Sequence, residues 1–405
     1  MMAQRDSKVP QIRFKGFEGE WNSLKLGELG KVATNKRIFI HQTSSTGDVP
    51  FYKIGTFGKQ PKLFISQELF EAYKERFPYP QKGDLLISVI GSIGRVVEYR
   101  GEDEYFQDSN IVWLQHNGAI VNSFLKQFYS FVKWSGIEGS TIKHLYNKNI
   151  LETQIHLPSQ KEQSQIGAYF QNLDCLIGEH LRKHEKLMTL KEAMLKKMFP
   201  APGATTPEIR FKGFSRPWEE KKLSDISTKV TEKNASKEYS ETFTNSAEFG
   251  VISQRDYFDK DISNSENLGG YYVVQADDFV YNPRISSFAP CGPINRNKLG
   301  RAGVMSPLYT VFSTKKIDNT FLEFFFKTEI WHSFMFLNGD MGARSDRFSI
   351  KDSIFNELPI PYSEIEEQQK IGDYFRRLDE LIAQHGTQVE KLRQLKAACL
   401  EKMFV

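Results

Sequence analysis

The sequence predicts an α+β protein in which two mixed α/β globules are separated by two long helices. The helices pair as an antiparallel coiled coil, so the chain is a pseudo-twofold tandem repeat. Three observations predict this. "PQIRFKGFEGEWNSLKLGEL" (Pro10–Leu29) aligns without a gap with "PEIRFKGFSRPWEEKKLSDI" (Pro207–Ile226), 197 residues on. "QSQIGAYFQNLDCLIGEHLRKHEKLMTLKEAMLKKMF" (Gln163–Phe199) aligns in the same way with Gln368–Phe404, 205 residues on. These two later stretches carry apolar residues at heptad spacing, the mark of a coiled coil.

In order, residues 1–158 form the first globule, 159–199 the central helix, 200–206 a linker, 207–362 the second globule and 363–405 the last helix. Inside the globules, short apolar runs bounded by turn residues read as strands: "DLLISVI", "NIVWLQ", "YYVVQ", "DFVYN" and "LYTVF". Between their matching ends the two middles diverge. Each long helix opens on a capping-box pattern, Ser159-Gln-Lys-Glu162 and Ser363-Glu-Ile-Glu366, in which Ser and Glu satisfy free backbone donors. The heptad reading puts Ile166, Leu173, His180 and Leu187 at one seam position and Tyr169, Leu176 and Leu190 at the other. The second helix repeats this with Ile371, Leu378, His385 and Leu392, then Tyr374, Leu381 and Leu395. His180 and His385 read as polar breaks that set register.

Each helix spans roughly 58 Å at 1.5 Å per residue. The linker "PAPGATTP" reaches at most about 28 Å. The second globule therefore begins near the far end of the first helix, and paired helices run antiparallel with a globule at each end. Such a molecule suits reading two patches on a duplex or holding two protein partners.

Bulk properties narrow the field. A chain of 405 residues exceeds one core. Cys175, Cys291 and Cys399 lie far apart, which supports neither a disulfide framework nor a zinc site. The start lacks a secretory apolar core, no run approaches the length of a membrane span, and a cytoplasmic protein is expected. The net charge of +4 does not by itself point to an anionic partner. Neither a GxGxxG nor a GxxxxGK[ST] loop occurs, "YNPRI" lacks the second proline of a methyltransferase strand end, and the eight histidines make no HExxH. No catalytic and no metal-binding residues are expected.

The order globule, helix, globule, helix, with the "RFKGF…W…L" phrase and the "Q…IG.YF..LD.LI" helix opening, resembles the specificity subunit of type I restriction–modification systems. That resemblance implies that each globule is a target recognition domain reading one half of a bipartite, asymmetric site in double-stranded DNA. It implies that the helices fix the unread spacer and dock two adenine methyltransferase subunits, and that two restriction subunits join the full complex. S-adenosylmethionine, ATP and Mg²⁺ are then used by those partners, and this chain binds no cofactor and no membrane. Constant ends hold constant partners while divergent middles read different half-sites. A coiled coil alone also permits a scaffold without a DNA role, and the constant-and-variable pattern is what favours the specificity reading.

Base edges are read by Arg, Lys, Asn and Gln, and phosphates accept cations and hydroxyls. Loops that concentrate these groups nominate Ser92, Arg95, Ser140, Thr141, Lys143 and His144 in the first globule. The second globule offers Arg284, Ser286, Ser287, Arg296, Arg344, Ser345 and Arg347. The aromatics Phe14, Phe17, Trp21, Phe211, Phe214 and Trp218 lie in the constant part and are expected to pack each globule onto its helix.

Overall fold

The computed structural model describes residues 8–134, 136, 143–258, 265–341 and 346–405. The chain divides into two compact units, Met1–Leu181 with Thr387–Val405, and Arg182–Gly386. The long helices are Gln160–Lys197 and Ile365–Met403. Each unit thus contains one globule, the start of one long helix and the end of the other.

Within the first unit a four-stranded antiparallel sheet runs in the order Lys31–Ala33, Ile111–Gln115, Leu85–Ser88, Val96–Glu98. A three-stranded sheet of Leu63–Ile65, Val49–Tyr52 and Tyr105–Phe106 is built from the middle of the same globule. The second unit repeats the four-stranded sheet as Ser227–Lys229, Thr310–Thr314, Phe279–Tyr281, Ile294–Arg296. There the middle is replaced by two-stranded ribbons, among them Phe243–Ser246 with Gly250–Ser253. All five strand-like runs read from the sequence become strands, because bounded β-branched and aromatic runs fit a half-buried pleated surface.

The helices pair antiparallel inside each unit. In the first, Lys396 reaches Asp174 at 2.6 Å and the Tyr169 hydroxyl lies 3.5 Å from Cys399 Sγ. In the second, Lys191 reaches Asp379 at 2.5 Å. Lys191 and Lys396, like Asp174 and Asp379, are 205 residues apart, so one contact is written twice.

The seam differs from the heptad reading at one of its two positions. Ile166, Leu173, Ile371 and Leu378 are buried, and His180, Leu187, His385 and Leu392 are half-buried, as expected of the first seam position. The partner position lies four residues on from these, not three: Phe170, Met198, Phe375, Val389 and Met403 are buried. Leu176, Leu190, Leu381 and Leu395 are consequently exposed, and Tyr169 and Tyr374 are half-buried. Both diagonals are equally close neighbours on a helix, and the large Phe170 and Phe375 decide for the second.

Six duplicated residues lock each globule to its helices. Arg13 grips Glu162 through two hydrogen bonds (2.7 and 2.8 Å), and Arg210 grips Glu367 through two (2.6 and 2.8 Å). The carboxylates are 1% and 0% exposed, so these are buried, bidentate pairs. The hydrogen bond to Glu162 raises the Arg13 guanidinium above its ordinary pKa, and Glu367 does the same for Arg210. Gln163 accepts from the Val121 amide (3.0 Å) and donates to Pro158 O (3.0 Å), while Gln368 accepts from Asp318 N (2.9 Å) and donates to Ser363 O (2.7 Å). Gly167 and Gly372 let the long helix cross the first turn of the helices Asn122–Phe131 and Asn319–Phe325. Trp21 and Trp218 are buried. At the helix ends, Phe404 packs on Trp21, Phe124 and Phe170, and Phe199 on Trp218, Phe321 and Phe375.

Phe14, Phe211 and Phe214 also pack onto the long helices, as expected. Phe14 meets the Tyr169 ring at 5.8 Å, Phe211 meets Tyr374 at 6.1 Å and Lys370 lies over Phe214. The capping boxes fare differently. Ser159 Oγ accepts from the Glu162 amide (3.3 Å), but the Glu162 carboxylate belongs to Arg13. In the second helix Ser363 turns its hydroxyl to the Glu364 carbonyl, 3.5 Å away, and no box forms between Ser363 and Glu366 among the described contacts.

Candidate nucleic-acid interface

The four-stranded sheet positions the candidate loops in the same way in both units. In the first, the chain leaves Leu85–Ser88, and Ile90 forms an isolated backbone bridge with His144, supported by the Leu145 amide donating to Val89 O at 2.9 Å. In the second, the chain leaves Phe279–Tyr281, and Arg284 forms the matching bridge with Arg347. Segments more than 50 residues apart in sequence are thus brought side by side twice. They are the segments whose composition nominated them.

On the first unit, Ser92, Arg95 and Lys143 are exposed, and Arg95 Nη1 donates to Phe57 O at 2.9 Å, which holds its side chain across the loop. His144 stacks on the exposed Tyr146 at 4.4 Å. Ser140 and Thr141 lie outside the described residues, as do Arg344 and Ser345. On the second unit, Arg284, Ser286, Ser287 and Arg347 are exposed. Ser286 and Ala289 exchange backbone hydrogen bonds (3.0 and 3.1 Å), closing a tight turn that carries Ser287 and Phe288 at its tip.

Arg296 does not join this group. It sits on the edge strand of the sheet with its side chain turned inward, 3.0 Å from Glu323 and 3.6 Å from Asp277. Glu323 is 9% exposed, and Lys298 reaches it as well. Arg296 is a structural counter-charge to a buried carboxylate, because an unpaired Glu323 would be costly to bury.

Beside the Ser286–Ala289 turn lies a cleft of about 600 Å³. The nominated Arg284 and Ser286 line it together with residues that sequence reasoning did not nominate, among them Asn245, Gln254, Tyr257, Phe258, Asn282 and Phe288. Its floor residues Asn245 and Asn282 are tied into a buried amide network. Asn245 donates to Val280 O (2.7 Å), Asn295 donates to Asn245 Oδ1 (2.7 Å), and Lys327 donates to Asn295 Oδ1 (2.6 Å). Burial pushes the Lys327 amine below its ordinary pKa. Asn282 donates to Asn245 O (2.8 Å) and accepts from the Arg284 amide (3.0 Å). Gln254 Oε1 is buried without a hydrogen-bond partner. The one sequence signal available was a lone phenylalanine inside the polar turn "RISSFAPCG".

Among the described residues no group of three or more His, Cys, Asp or Glu side chains is placed to hold a metal ion. No described helix is long and apolar enough to cross a membrane.

The fold and the paired loops define an internally duplicated α+β protein in which a constant frame presents two different loop surfaces. The family model for the type I restriction modification DNA specificity domain matches residues 18–187 and again 215–394, and the chain belongs to that family. It is similar to a putative type I restriction enzyme specificity subunit of Haemophilus influenzae, 49% identical over 154 residues. That match covers 38% of this chain and 40% of the relative, less than half of its length. The putative type I restriction enzyme MjaX specificity subunit of Methanocaldococcus jannaschii is 25% identical over 351 residues, covering 78% of this chain and 76% of that one. The crystal structure of a type I restriction–modification S subunit from M. genitalium shares the fold, with a TM-score of 0.60 at 13% identity, covering 98% of this chain and 99% of that one.

Proposed function

We propose that this chain is the DNA-reading specificity subunit of a cytoplasmic type I restriction–modification complex. Each globule reads one half of a bipartite, asymmetric site through the two bridged loops of its unit. The long helices, 38 and 39 residues each, set the unread spacer and dock two methyltransferase subunits. Two restriction subunits complete the assembly. The chain itself is non-catalytic: S-adenosylmethionine is bound by the methyltransferase, and ATP and Mg²⁺ are used by the restriction subunits.

One observation carries this reading. The Arg–Glu and Gln–amide clamps recur in both units, whereas the bridged loops they present share almost no side chains: Ile90 and His144 in one, Arg284 and Arg347 in the other. A frame kept constant around a changing polar surface suits a molecule that must hold the same partners twice and read two different sequences.

The test is methylation mapping by long-read sequencing after co-expression with the cognate methyltransferase in a methylation-free host. The expected result is adenine methylation at one split motif. Replacing Arg284 and Arg347 together with Ala should relax or abolish one half of that motif and leave the other intact. Equal loss at both halves would instead mean general phosphate contacts, each removing about one unit from the salt slope. No methylation by an assembled complex would sink the specificity role.

A further inference from the structure

Building on the specificity reading, we infer that the cleft of the second unit takes a single nucleobase extruded from the duplex, with Phe288 as the wedge that fills the vacated stack. Phe288 is 81% exposed, the most exposed phenylalanine of the described chain. It stands at the tip of a turn closed by two backbone hydrogen bonds, so its projection is fixed by the main chain. Lone exposed apolar residues are ordinary on a surface. This one, however, is set among Ser286, Ser287, Arg284 and Arg347, all exposed. An apolar side chain held out between guanidinium and hydroxyl groups is the arrangement by which proteins unstack a base step while gripping the flanking phosphates.

An unstacked base needs a place to go, and the inner side of Phe288 is a wall of the cleft. Its volume of about 600 Å³ falls within the range of sites that enclose small planar ligands. Tyr257 and Phe258 line it, 44% and 39% exposed, with perpendicular rings 4.6 Å apart, so one of them offers a face to a base and the other an edge. The asparagines of the floor already spend their described donors on the protein. Gln254 also lines the cleft, and its Oε1 is an acceptor without a partner that a turn of the side chain would present to a base. The exocyclic amine of adenine or cytosine, or the ring N–H of guanine or thymine, supplies one. Extruded bases are held in this way, by hydrogen bonds to the pairing edge and aromatic stacking. In the matching loop of the first unit Ile93 packs, half-buried, against the core instead of projecting, so the inference concerns one half-site only.

The experiment uses the full chain assembled with its methyltransferase subunits, without S-adenosylmethionine. It is bound to duplexes carrying 2-aminopurine at each position of both half-sites in turn. Fluorescence should rise several-fold at one position other than the adenine to be methylated. Phe288→Ala should return that position to the duplex level and weaken binding about tenfold, the scale of one lost aromatic stack. Gln254→Ala should dim the same position, and both variants should leave the other half-site protected. Protection of both half-sites without a second bright position overturns the inference, as does a bright position indifferent to Phe288→Ala and Gln254→Ala. Failure of the specificity reading is distinct: no split site is protected at all.

Discussion

The two units share a frame and differ in what the frame carries. In both, an arginine from the "IRFKGF" phrase closes on a buried glutamate of the long helix, a buried glutamine ties the helix start to the globule, and a phenylalanine from the other helix's end fills the pocket beneath a tryptophan. The first unit then builds a three-stranded sheet with a cluster around Phe51, Phe70 and Tyr105, where the second builds ribbons and an amide-floored cleft. Selection for a repeated fitting keeps side chains at fixed offsets, and selection for a changing surface keeps only the sheet beneath it. The repeated phrase in the sequence is therefore explained by Arg13 and Arg210, which need the same carboxylate in the same place.

Breaking one clamp is the strongest way to test whether the halves are equivalent. Arg13→Ala leaves Glu162 charged and buried without its partner, and Arg210→Ala does the same to Glu367. Each should cost about 3–5 kcal/mol, because an uncompensated buried charge is among the most expensive defects a fold can hold. Differential scanning calorimetry should show a large drop for both. Limited proteolysis should cut the globule of the altered unit first. Replacing the whole pair, Arg13→Met with Glu162→Leu, should recover most of the loss, since an apolar pair of similar volume avoids the desolvation penalty. Equal protease resistance of the wild type and Arg13→Ala would remove the clamp from the account.

The glycines sharpen the comparison because they look alike in sequence and differ in space. A Cβ on Gly167 would lie 2.0 Å from Ser123 Oγ and 2.9 Å from the Phe124 backbone nitrogen. On Gly372 the nearest atoms are at 3.0 and 3.1 Å. Gly167→Ala should destabilise by about 1–3 kcal/mol through overpacking. Gly372→Ala should come out near neutral, the small clash offset by about 1 kcal/mol of helix propensity gained. Urea denaturation of the two variants, side by side, measures the difference. A Gly372→Ala variant as unstable as Gly167→Ala would show that the two crossings are tighter and more alike than their spacing indicates.

Most of the frame was legible in the sequence because duplication prints it twice. The helices, the antiparallel pairing, the strand runs and the packing of Phe14, Trp21 and their counterparts follow from offsets and apolar periodicity. The seam was half legible. Leucines at the three-residue spacing and Phe170, Ile177 and Met198 at the four-residue spacing made the two diagonals look equal, and only the burial of Phe170 and Phe375 decides. The candidate surface was legible as segments and not as side chains. Composition pointed to the loops that the sheet brings together at Ile90–His144 and Arg284–Arg347. It could not show that Arg296 faces Glu323, because that partner lies 27 residues away on a helix whose orientation the sequence does not state. Gln254 left no mark in the sequence and Phe288 only a faint one, for a related reason. A single polar or aromatic residue in a turn carries no period, so its role depends on which loops surround it.

The smallest effect on stability should accompany the largest effect on assembly. Leu176 and Leu190 on one helix, and Leu381 and Leu395 at the matching places of the other, are exposed within their units although the heptad reading placed them in the seam. Exposed leucines contribute little to a folded chain, so changing all four to Ser should move the unfolding free energy by no more than about 0.5 kcal/mol per site. Their retention at both copies of a repeat is explained by a surface that meets the same partner twice, which is the docking role proposed for the helices. The fourfold variant should fold with an unchanged circular dichroism spectrum and melting profile, yet fail to co-purify with the methyltransferase subunit. Changing only Leu176 and Leu190 should leave partial binding, because half of the duplicated surface survives. If instead the fourfold variant keeps its partner while losing stability, these leucines belong to the pairing of the helices after all, and the seam is wider than the burial of Phe170 and Phe375 implies.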